Sequence, residues 1–251
     1  MSLWRLEWLR LVRTSRWVAL AAVFTVFGML GPLTARYLSE IIKFAGAQDQ
    51  GVTIKFPPPK PPDGMAEYMS NALQIGTIVI IVIAAGALAF DAIPEMGVFI
   101  RTRVPSVWRI LVPRLVVPFA ASAAAFTLGA LTAWYETWTL LGALPVGAVL
   151  LGIGLGILFV AFVIAVVAAM AQWLRTVLST VMASLVILIG LPIIGLVDVI
   201  GRWLPTRLGN ALTDLTAGSS ASDFWRPTVA AVVAIVALLW WAARGARRRE
   251  A

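Results

Sequence analysis

Of 251 residues, 61% are hydrophobic and 13% charged, with a mean hydropathy of +0.92; soluble domains average about 45–50% apolar and about 25% charged, so this balance argues against a water-soluble fold. His and Cys are absent, which removes disulfides, thiolate or imidazole catalysis and the ligands of ordinary zinc, haem and iron–sulfur sites. The net charge of +8 comes from basic residues flanking apolar stretches, not from a patch interleaved with aromatics, which argues against nucleic acid.

Residues 1–16 read as an amphipathic elbow helix lying in the membrane interface. Wound as a helix, they put Trp4, Trp8, Leu11 and Val12 on one stripe, with Arg5, Arg13 and Arg16 at its edge or opposite. Trp4, Trp8, Arg5 and Arg13 are the expected anchors at the headgroup boundary, which accommodates an indole ring with one N–H; a plain positive flank gives the same pattern. A first span is expected over residues 17–38, since about 20 apolar residues cross a bilayer. A cleaved signal peptide would need a shorter apolar region and a small-residue cleavage site, and neither stands out.

Residues 39–70 are polar and contain Phe56-Pro-Pro-Pro-Lys-Pro-Pro, a stiff extended run suited to an outer loop in water. A second span is expected over 71–90, a charged, proline-bearing loop over 91–114, and a third span over 115–135. The uncharged stretch 137–174 is short for two spans and a turn. It reads as an interfacial lead-in ending at Pro145 and one long fourth span over 146–174. A fifth span is expected over 177–197 with a kink at Pro192, an amphipathic outer segment over 198–226, a sixth span over 227–243 and a basic tail over 244–251.

Six spans return both termini to one side, where thirteen of the twenty Lys and Arg but only four of the twelve acids then fall. Because the arginine-rich side faces the cytosol, both termini are expected there, with the chain in a bacterial plasma membrane. Charge within the spans is nearly absent, and Gln74, Gln172 and Arg36 are the strong polar groups in or near them. That disfavours a proton-coupled carrier, whose pathway normally uses intramembrane charge. Gly152-Ile-Gly-Leu-Gly156 lacks the preceding strand and the Gly-Lys pair of a phosphate loop; its G-x-x-x-G spacing fits close helix packing in lipid.

The loop after the second span is the most informative segment. Asp91 and Glu95 share a helical face, Met96, Val98, Phe99 and Ile100 add apolar surface, and a short helix of this kind suits a groove on a partner. An acid closing the second span, then Gly97, then a turn from Pro105 to Arg109 into the third span resemble the pattern of ABC-2 type permeases, with Val98-Phe99 where that family has Thr-Leu. The layout of the whole chain resembles the same family.

The resemblance implies an all-α integral membrane protein with an elbow helix, six transmembrane helices and type V exporter-like architecture. Asp91, Pro94, Glu95, Met96, Gly97, Phe99, Arg101, Arg103 and Pro105 would form a coupling segment seated in a separate ABC ATPase subunit, which carries the ATP and Mg. A second permease copy or a related permease would complete the path among membrane lipids. It further implies that 198–226 closes the outer mouth, with Trp203, Leu204, Leu208 and Leu212 at the gate; an interfacial segment without gating is the alternative. No cofactor is expected in this chain, and no enzymatic activity of its own. The expected function is therefore the permease subunit of an ATP-driven exporter. A non-transporting scaffold or assembly factor shares these features, whereas a membrane-embedded enzyme has few candidate side chains without His, Cys or clustered carboxylates.

Overall fold

The computed structural model describes residues 3–44, 58–88, 107–174 and 176–248, which form helices joined by turns and short links. Among them six helices are long and apolar enough to cross a membrane: Arg16–Leu38, Pro61–Leu88, Trp108–Leu140, Val146–Trp173, Val177–Ile194 and Ala221–Gly245. The all-helical, six-span expectation holds for the described residues.

Helix α1 (Leu3–Arg13) ends where the Thr14 hydroxyl donates to the Arg10 carbonyl at 2.7 Å and Ser15 takes a left-handed φ of 52°, uncommon for a residue with a Cβ. The chain thereby turns into α2 (Arg16–Phe44). This helix meets α4 (Val107–Leu140) at two glycines. A Cβ on Gly28 would stand 2.5 Å from the Gly129 carbonyl oxygen, and one on Gly129 2.5 Å from that of Phe24. Only bare backbone fits there, which is the small-residue contact by which helices associate in lipid.

Helix α3 (Pro61–Leu88) starts well before the expected position 71. Its first turn holds Pro61 and Pro62, whose missing N–H groups have no helical partner to lose, and the Asp63 carboxylate accepts from the Lys60 N–H at 2.7 Å. Its Tyr68 packs against Gly31 of α2 and donates a hydrogen bond to the Phe126 carbonyl of α4 at 3.0 Å, locking these three helices together. Helix α4 outruns the expected 115–135 at both ends, and the lead-in over 137–145 is helical to Leu140 before Gly142 turns the chain at φ 120°.

Helix α5 (Val146–Trp173) is the centre of the bundle, and every residue from Phe162 to Ala169 is buried, as an all-round apolar sequence requires. The two glycines of its G-x-x-x-G motif are packing notches: Gly152 receives Leu212 and Gly156 the ring of Phe126. Helix α6 (Val177–Ile194) is peripheral, turning Thr180, Val181, Ser184 and Leu188 inward and Leu178, Met182, Val186 and Ile193 outward. Thr180 and Ser184 bond back to carbonyls one turn earlier, at 3.0 and 2.8 Å, so their hydroxyls are satisfied within the helix.

The outer segment is a cap of short pieces: α7 (Asp198–Gly201), a 3₁₀ turn (Pro205–Asn210), α8 (Ala211–Thr216) and a second 3₁₀ turn (Ala221–Phe224). Helix α9 (Trp225–Arg248) then runs back along α5, with Trp241 on Trp173 at 5.1 Å.

Candidate functional site

A partly open cavity of about 900 Å³ lies between α3, α5, α6 and the cap. Leu73, Gln74, Thr77, Ile78 and Ile81 of α3 form one wall, and Leu185, Leu188, Ile189 and Pro192 of α6 the other. Phe159 of α5 is at the back, and Arg202, Leu204, Thr206, Arg207 and Asn210 of the cap form the rim. The wall is thus apolar and the rim, on the side away from the termini, polar. Its chemistry is that of binding: mostly apolar surface with a few convergent donors.

The α3 wall depends on a local irregularity. Between Ala72 and Gly76 the helix makes a π turn, in which the Thr77 N–H donates to the carbonyl of Ala72 five residues back. Four residues advance an α-helix by a full turn plus about 40°, so a strip of side chains at that spacing drifts off its face. The extra residue of the π turn takes up the drift. Tyr68, Ala72, Gly76 and Ile80 therefore all stay buried, Gly76 against the ring of Phe24, while Gln74 and Thr77 remain on the cavity side. Such turns recur at functional positions in helices.

At the other end of the bundle, α1 presents Glu7 and Leu11, four residues apart, to the protein. Glu7 Oε1 lies 3.0 Å from Arg114 Nε, with side-chain exposures of only 4% and 3%. Arg10 Nη1 is 4.0 Å from the second Glu7 oxygen, and Arg10 Nη2 donates to the Gly86 carbonyl at 3.2 Å. The Arg16 guanidinium covers the same glycine, 3.1 Å from where a Cβ would stand. Gly86 is among the last described residues of α3. One short helix therefore holds the end of α3 and the start of α4, the two helices that flank residues 89–106.

Arg114 corrects the sequence reading, which counts it in a loop and finds the span interiors nearly free of charge. Helix α4 starts early enough to put Arg114 about two turns inside. Glu7, the one acid before Glu40, was the available signal; its distant partner had none.

The expected coupling residues Asp91, Pro94, Glu95, Met96, Gly97, Phe99, Arg101, Arg103 and Pro105 lie outside the described residues. Of the expected anchors, Trp4 and Trp8 are exposed along α1 together with Val12, and Arg5 and Arg13 are exposed beside them. Leu11, expected on that stripe, is buried against the bundle instead. The four residues expected at the gate separate: Leu204 lines the cavity, Leu208 and Leu212 are buried anchors of the cap, and Trp203 is exposed, edge-on to Trp225 at 5.7 Å. Arg226 stacks over Trp225 at 5.4 Å. Sequence reasoning did not gather Gln74, Thr77, Arg202, Arg207 and Asn210 into one site, because no local pattern joins the middle of α3 to the cap. Nearby, the half-buried Asp214 carboxyl is held above its ordinary value by burial, with Arg207 opposing the shift.

No protein-family model matches the chain, and no solved structure matches it. A protein of Bacillus subtilis (strain 168) described as an uncharacterized transmembrane protein, YxlG, is 23% identical over 230 residues, covering 90% of this chain and 88% of its own length. With six apolar helices of crossing length, this likeness decides the class. The chain is a multi-pass integral membrane protein.

Proposed function

We propose that this chain is the membrane-spanning permease subunit of an ATP-driven ABC exporter in a bacterial plasma membrane, paired with a second copy or a related permease and driven by a separate ATPase subunit. The observation that supports this reading best is the hold of α1 on both helices flanking residues 89–106: Arg10 on α3 at Gly86, joined there by Arg16 from the start of α2, and Glu7 on Arg114 of α4. A partner gripping the intervening segment at Asp91, Glu95 or Gly97 displaces these helix ends together. Helix α3 is continuous from Gly86 to the cavity wall at Thr77 and Gln74, so the same displacement reaches the cavity. A passive scaffold offers no account of that cavity. In this reading both termini are cytosolic, the outward face of α6 beside the cavity receives the second permease, and ATP with Mg belongs to the ATPase alone.

Affinity purification of the tagged chain, expressed with its operon, tests the proposal. An ATP-hydrolysing subunit should co-purify in fixed stoichiometry, and Glu95→Arg or Gly97→Trp should release it without changing the permease's melting temperature. Recovery of the chain without any ATPase, or full ATPase retention by both variants, overturns the reading.

A further inference from the structure

The cavity wall offers Ile78, Ile81, Leu185, Leu188 and Ile189, surface that only an apolar group satisfies. From Leu73 to Ile81 α3 rises roughly 12 Å, most of the depth of one leaflet in a hydrocarbon core of about 30 Å. At the rim, beyond this wall, stand Arg202 and Arg207, with Thr206 and Asn210 as further hydrogen-bonding groups. Both arginines are exposed, and among the described residues neither has a carboxylate within ion-pair distance. Among the described side chains Asp214 acts on Arg207 from farther off, and that one carboxylate is outnumbered by the two arginines of the rim.

Two planar guanidiniums over an apolar slot match an amphiphile whose head bears phosphate oxygens, since the arginine fork pairs with such oxygens two at a time. A cationic head would be repelled. The volume of about 900 Å³ falls in the range of roughly 300–1,000 Å³ typical of sites for single small molecules, which excludes a folded polypeptide. We propose that the cavity binds one anionic phospholipid from the leaflet on the side away from the termini, its phosphate on Arg202 and Arg207 and its acyl chain along α3 and α6. As a statement about cargo this rests on the permease reading; as a statement about binding it does not, and the test reads binding alone.

The full chain, purified in detergent micelles with whatever subunit accompanies it, is exposed to equal amounts of phosphatidylglycerol and phosphatidylcholine, and retained lipid is counted by native mass spectrometry. Wild type should favour phosphatidylglycerol by about tenfold, equivalent to ~1.4 kcal/mol. The double variant R202Q/R207Q should retain the two lipids equally, R202K/R207K should recover part of the preference, and Thr77→Trp, which fills the slot, should lower retention of both. Equal retention by wild type overturns the proposal. So does an undiminished preference in R202Q/R207Q, because the lipid then sits elsewhere. Lipid preference without a co-purifying ATPase would remove the permease reading and leave the binding site standing.

Discussion

Glu7 is surrounded by basic residues in the sequence and by protein in the fold. Burying an ion pair costs several kcal/mol per charge, offset here by the 3.0 Å contact with Arg114 and the proximity of Arg10. Removing one partner therefore hurts more than removing both. Glu7→Gln should destabilise the protein by about 3–5 kcal/mol, because the buried Arg114 guanidinium loses the Glu7 charge 3.0 Å away. Replacing the pair together, with Glu7→Leu and Arg114→Met, should restore most of that loss. Melting curves in detergent decide it: a Glu7→Gln protein melting like wild type, or a double variant melting as low as the single one, contradicts this account. The pair also marks where residue-level reading of the sequence stops. A lone acid in a basic segment is visible, but pairing between residues on separate helices leaves no periodic trace.

Elements were more legible than residues, and unevenly so. Helix α5 is apolar on every side, and from Phe162 to Ala169 it is buried on every side, so its ends near Pro145 and Trp173 follow from hydropathy alone. Helices α3 and α4 are longer than hydropathy indicates, because their outer turns carry polar or aromatic residues such as Asp63, Glu67, Tyr135 and Glu136, which a hydrocarbon criterion discards and an interface tolerates. The π turn at Ala72–Gly76 was not legible at all: it answers to the packing of Tyr68 and Gly76 on α2, not to its own residues. It yields a test at this scale. Deleting Gln74 restores an ordinary α-helical turn and rotates one half of α3 against the other by about 100°, so that either Tyr68 or Ile80 must leave its buried place. The deletion should lower the melting temperature well beyond the effect of Gln74→Ala, which shortens an exposed side chain and keeps the register. Equal shifts for the two variants would mean that the extra residue does not set the packing of α3.

The whole molecule is organised by two interfaces, and its exposed aromatics respect them. Trp4, Trp8, Trp17, Trp108, Trp173 and Trp241 gather at the end carrying the termini, and Tyr37, Tyr135, Trp138, Trp203 and Trp225 at the other, which gives the two belts expected of a membrane protein. Belts fix depth but not direction; direction rests on the charge asymmetry. The native chain has no cysteine, so an introduced one reports its own side without background. Cysteine at Lys60, which is exposed just before α3, should react with an impermeant maleimide in intact cells. Cysteine at Arg5, exposed on α1, should react only after permeabilisation. The opposite pattern would leave the six helices, the buried pair and the cavity unchanged, yet it would turn residues 89–106 away from cytosolic ATP. No soluble ATPase could then grip them, and the hold of α1 on α3 and α4 would be left with a structural role alone.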